Sequence, residues 1–153
     1  DFALTTDGSS MGVDGLAIGA GYGEAESGSE AGTIPGGDTE HMTVFANYSF
    51  GPATFGYQMS NIDKGASGSV DQEVAAWGLA FNVNENLSLS YGERDVTFLH
   101  PSAAHVEESG EGIAIAYTMG SMKIAGNRNE VSNNDGTAGS SDEMTEIAVS
   151  FAF

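Results

Sequence analysis

The side chains that most often carry chemistry are unevenly supplied in this chain. Of its 153 residues none is cysteine, three are histidine, four are basic and 22 are acidic. Without thiols there is no cysteine nucleophile, no Cys-type zinc site and no disulfide framework. His41, His100 and His105 have no serine–aspartate partner arrangement and no metal-ligand spacing, so no catalytic site is expected. Gly19-Ala20-Gly21-Tyr22-Gly23 suggests a phosphate-cradling loop, but it lacks the G-x-G-x-x-G spacing and no helix follows. Asn133-Asn134-Asp135-Gly136, with Asp142 and Glu143 beyond, resembles a calcium loop only in composition. Aligning Gly136 with the obligatory glycine puts Val131 at the first ligand position. A solvated loop is the preferred reading, with looser Ca²⁺ or Mg²⁺ binding at Glu24, Glu26, Asp135, Asp142 and Glu143 as the alternative. A formal charge of −18 excludes phosphate-backbone binding, which needs clustered Lys and Arg, so no nucleic-acid partner is expected.

The elements that hold these residues follow a period of two almost throughout. In residues 42–50, Val44, Ala46, Tyr48 and Phe50 alternate with Thr43, Phe45, Asn47 and Ser49. After Gly51-Pro52, Phe55, Tyr57 and Met59 alternate with Thr54, Gly56, Gln58 and Ser60. Residues 75–83, 87–94, 113–119, 122–129 and 144–153 repeat this grammar, as do residues 16–23. That predicts eight strands, with residues 2–6 as a doubtful ninth. The longest apolar run, residues 74–81, is interrupted by Gly78 and is far short of the roughly 20 residues of a membrane helix. A membrane-spanning strand needs only about half that number. Nothing in Asp1-Phe2-Ala3-Leu4 reads as a targeting segment, so a mature chain or an internal start is expected.

The connections are sorted by length. Gly51-Pro52, residues 84–86 and Gly120-Ser121 are short, whereas 24–41, 63–72, 95–110 and 131–143 are long and polar. In a meander, strict alternation puts every short turn at one end and every long loop at the other, as in outer-membrane barrels. The two faces agree with that. One carries the large apolar residues, including the aromatics Tyr48, Phe50, Phe55, Tyr57, Phe81 and Tyr117 near the short-turn end, where an interfacial girdle would lie. The other is small and polar, and Asn47, Gln58, Asn82, Ser90, Arg94, Lys123, Asn127 and Glu146 on it are the expected pore-lining residues. Arg94 and Lys123 either contribute to a transverse field across a lumen or pair locally, Arg94 with Asp95 or another carboxylate. Arg128 falls on the outer face near the rim.

The last strand ends on Phe153, with Ile147, Val149 and Phe151 behind it at every second position. This resembles the C-terminal signal of Gram-negative outer-membrane proteins that barrel-assembly machinery reads. The segments 46–51 (Ala-Asn-Tyr-Ser-Phe-Gly), 116–122 (Ala-Tyr-Thr-Met-Gly-Ser-Met) and 146–153 (Glu-Ile-Ala-Val-Ser-Phe-Ala-Phe) resemble those of alphaproteobacterial general porins. The resemblance implies an all-β, antiparallel up-and-down transmembrane barrel of about 16 strands, of which this chain would be the C-terminal half. It also implies a homotrimer in the outer membrane, contacts with lipid and lipopolysaccharide, and passive diffusion of small hydrophilic solutes. The acidic balance points to cation preference. The family's inward constriction loop would lie in the other half.

Two alternatives stand beside this one. A complete eight-stranded barrel with a structural or adhesive role would need a filled interior. The inward set here includes Gly19, Gly21, Gly23, Gly56, Ala76, Gly78, Ala80, Gly92, Ala114, Ala116 and Ala148, which suits a wide lumen better. A soluble lipocalin-like barrel would turn its apolar face inward around a ligand and show water a face rich in Glu and Lys.

Overall fold

The computed structural model describes residues 1–26, 37–66 and 68–152. Nine strands form one sheet in strict sequence order, each antiparallel to its neighbours: β1 Phe2–Asp7, β2 Leu16–Ala25, β3 Thr39–Phe50, β4 Ala53–Asp63, β5 Asp71–Asn82, β6 Leu87–Leu99, β7 Val106–Met119, β8 Met122–Ser132 and β9 Ser141–Phe151. Residues 2–6, doubtful by alternation, lie in a true strand, with Phe2 opposite Tyr22 and Thr6 opposite Ile18. Among the described residues β1 pairs only with β2 and β9 only with β8, so the sheet is open rather than a closed eight-stranded barrel.

Tight turns follow from local chemistry. Gly51 and Gly120 take positive φ (55° and 59°) at the first position of two-residue hairpin turns, a conformation glycine adopts without steric penalty. At the β5–β6 turn the Asn84 carboxamide oxygen accepts from the backbone N–H groups of Asn86 and Leu87 at 2.9 and 3.0 Å. That local bond lets asparagine close a turn.

At the opposite end the strands run farther than alternation marks them. β6 continues to Leu99 and β7 starts at Val106, leaving only residues 100–105 between them; β8 and β9 are joined by residues 133–140. These extensions look like loops in the sequence because polar residues enter on both faces and the apolar residues shift to the inner one, so the period loses its phase although the hydrogen bonding continues. Sorting by length is also less strict than expected. Residues 8–15, joining β1 to β2 at the short-turn end through a 3-10 turn at Gly8–Met11, outnumber the six between β6 and β7.

Register shows how the strands would sit in a bilayer. Phe50, Ala53, Phe81, Leu89, Ile115, Gly126 and Ile147 form one row across β3 to β9, perpendicular to the strands. On β3 outward apolar residues continue eight positions above that row, to Met42; on β9 they stop in it, at Ile147. The upper edge of the apolar band therefore falls about 26 Å while crossing six strand spacings, about 29 Å. That slope corresponds to strands tilted about 42°, inside the roughly 35–45° range of membrane barrels.

Candidate pore wall

Most large apolar side chains lie on one face, and that face is the exposed one. Phe50 (74 % exposed), Ile147 (76 %), Leu4 (70 %) and Ile113 (57 %) are typical, whereas Val96, at 1 %, is the one buried hydrophobic residue among those described. A water-soluble domain of this length would enclose a core. Along β7 every inward residue from Val106 to Ala116 is half-buried and every outward one from Glu107 to Tyr117 is exposed. The small-residue face is thus the sheltered one, which is the reverse of a lipocalin-like arrangement.

The residues expected to line a pore share this sheltered face by register. Asn47 lies opposite Gly56, Gln58 opposite Phe45 and Ala76, Asn82 opposite Ser88, and Ser90 opposite Ala80 and Ala114. Arg94 lies opposite Ala76 and Gly110, Lys123 opposite Thr118 and Ser150, and Asn127 opposite Ala114 and Glu146. Opposing glycines keep three inward side chains flat against the sheet. A Cβ added at Gly56 would lie 2.5 Å from the Asn47 Oδ1, at Gly112 2.4 Å from the Asn129 Oδ1, and at Gly19 2.3 Å from the Phe45 ring. Each side chain lies across the glycine directly opposite it, so polar and aromatic groups coat the wall instead of projecting from it. Phe45 is the large aromatic on this face at the level of the apolar band. Its sequence signal was the Gly19 facing it, and alternation alone does not reveal that pairing.

Residues 1–136 match a protein-family model described as Gram-negative porin. The chain belongs to that family. A search of solved structures finds a porin refined at 1.8 Å resolution, with a TM-score of 0.75 and 17 % sequence identity. The match covers 97 % of this chain and 50 % of that one, so the chain spans about half the length of the porin it resembles. At that identity the similarity concerns the fold. No curated protein sequence matches the chain.

The remaining residues singled out in the sequence lie on the outer face. Tyr48, Phe50, Phe55, Tyr57, Phe81 and Tyr117 are all exposed on the outer face, between 42 and 74 %. Ile147, Val149 and Phe151 are exposed on the same face of β9, and Phe153 lies outside the described residues. From the short-turn side toward the upper edge of the band, Phe55, Trp77 and Tyr91 form a chain of ring contacts, with centroids 6.3 and 5.5 Å apart.

Above them runs a feature that single-strand reading cannot see. Glu93, Glu111, Glu130 and Glu143 lie directly opposite one another in one row across β6 to β9. Like charges in facing positions repel, and each carboxylate has a donor. Trp77 Nε1 donates to Glu93 (3.0 Å), and the Tyr91 hydroxyl lies 2.5 Å from Glu93 and 2.8 Å from Glu111. Arg128 bonds Glu130 and, at 3.1 Å, Glu143. Arg128 thus faces outward at the rim, as alternation suggests, with two carboxylates as partners.

Arg94 resolves its two readings toward local pairing, though with Glu108 (3.2 Å) and not Asp95, whose carboxylate accepts from Ser109. Asp95 points to the other face, so the neighbour in sequence is not the neighbour in space. No group of three or more His, Asp or Glu among the described residues is arranged to hold a metal ion. Of the carboxylates expected to bind Ca²⁺ or Mg²⁺, Glu143 holds Arg128, and Glu24, Glu26, Asp135 and Asp142 join no such group.

Proposed function

We propose that this chain forms about half the wall of a water-filled outer-membrane channel for passive diffusion of small hydrophilic solutes. The observation that carries the reading is the inside-out burial: a tilted band of exposed apolar side chains on one face, and a sheltered face of Gly, Ala, Ser, Thr and Asn. Exposing that band to water would forgo roughly 25 cal/mol for every Å² of apolar surface, whereas lipid accommodates it. The sheltered face offers hydrogen-bonding groups to water and a small residue at most positions, so solutes would pass without a chemical step.

Cation preference follows from the charges on that face. Asp7, Glu108, Asp142 and Glu146 stand against Arg94 and Lys123, and Arg94 is already paired with Glu108. The net field of a narrow, low-dielectric passage is focused along it and would enrich cations. We extend the reading to assembly as a homotrimer and insertion through the barrel-assembly machinery on the family's pattern. The carboxylates of the outer rim suit lipopolysaccharide phosphates bridged by Ca²⁺ or Mg²⁺. Reversal potentials of the full-length protein in a planar bilayer under a KCl gradient test the selectivity. Cation preference is expected; anion preference would overturn the charge argument.

A further inference from the structure

Above the membrane band the apolar residues change sides. On β6 the outward set Leu87, Leu89 and Tyr91 gives way to Val96 and Phe98 on the inner face, and Ile62, Val74, Val106 and Val131 make the same switch on β4, β5, β7 and β8. Apolar residues lining a watery mouth need a cover, and Val96, at 1 % exposure, has one. Residues 133–140 bend back over the inner face, and their turn at Asn134–Gly136 packs against β7 and β6. Gly136 rests on the Phe98 ring, where an added Cβ would come within 2.9 Å of two ring carbons.

Polar contacts fix the same segment. The Glu108 carboxylate, 12 % exposed, accepts from Arg94 through one oxygen and from the Asp135 backbone N–H at 2.7 Å through the other. Asn133 Nδ2 donates to the Glu107 carbonyl at 2.9 Å, and Asn133 Oδ1 accepts from Gly139 N–H. Asn133 and Asp135 are the only non-glycine residues described with positive φ, at 52° and 53°. Asn and Asp are the non-glycine residues that take this conformation most readily, so the turn suits its sequence.

We propose that residues 133–140 form a fixed shelf across the outer mouth of the pore, and that Glu108 is the positioning residue that locks it there. The shelf then sets a size limit at the mouth, separate from any narrowing deeper in the channel. The proposal rests on the channel reading, and its test separates the two.

Single-channel conductance and liposome swelling with sugars of rising size would be compared for the full-length protein and three variants. Glu108→Ala with Phe98→Ala, and separately a deletion of residues 134–138 that touches no strand, should both raise conductance and admit larger sugars. Glu108→Gln keeps an oxygen for the Asp135 N–H; it should keep the size limit and shift the reversal potential toward anions. Unchanged size limits in the deletion variant would overturn the shelf while leaving the channel intact. A wild-type protein that conducts nothing would overturn the channel reading itself.

Discussion

Leu79 and Ala80 are neighbours in β5 with opposite fates if the apolar face meets lipid. Leu79 is 45 % exposed on the outer face, six residues below Glu73 and five from Asn84 in the turn. With about 3.3 Å per residue and the tilt of about 42°, those distances are about 15 Å and about 12 Å along the membrane normal. Leu79 therefore sits close to the midplane of a band about 25 Å tall, where an introduced lysine costs about 2–4 kcal/mol. Ala80 points to the sheltered face, opposite Thr54 and Ser90, and a lysine there reaches water. Its cost should stay within about 0.5 kcal/mol. The two variants should differ by at least about 1.5 kcal/mol, or about 12-fold in the unfolding equilibrium. Denaturant unfolding of the full-length protein in lipid vesicles reads that difference. Equal destabilisation by Leu79→Lys and Ala80→Lys, or the reverse order, would refute the assignment of faces.

Other perturbations test separate parts of the account. Arg128→Gln leaves Glu130 and Glu143 facing each other without their cation, so stability should fall at low salt. The deficit should shrink toward 1 M salt as the Debye length contracts from about 10 Å to about 3 Å; a salt-independent deficit in thermal unfolding would count against the charge explanation. Gly19→Val pushes the Phe45 ring off the wall and should lower single-channel conductance. Phe45→Ala in the same chain should restore it, and a double variant no better than Gly19→Val would show that the ring is not the obstruction.

Much of the fold was legible because β-strands in a two-faced sheet leave a period of two in the chain. Residues 42–60 and 113–129 show it plainly, and their hairpins fall at Gly51-Pro52 and Gly120-Ser121. Legibility failed where that period lost its contrast. Residues 95–99 and 106–110 are strand, yet Glu107, Glu108, Ser109 and Asp95 put polar groups on both faces, which resembles a loop. The phase switch at Val96 and Phe98 was present in the sequence, but its meaning depends on the strand continuing to Leu99. Cross-strand facts were hidden for another reason. Glu93, Glu111, Glu130 and Glu143 are 18, 19 and 13 residues apart in sequence and become neighbours only through register. The Arg94–Glu108 pair and the Phe45–Gly19 contact depend on register in the same way.

The central claim is that alternate residues of one strand meet lipid and water. These 153 residues contain no cysteine, so each single-cysteine variant of β7 adds one reporter at a chosen position. In the full-length protein inserted into bilayers, cysteines replacing Ala114, Ala116 and Thr118 should react with a membrane-impermeant, water-soluble thiol reagent. Those replacing Ile113, Ile115 and Tyr117 should resist it. Uniform labelling along the strand, or labelling of the odd positions alone, would contradict the account.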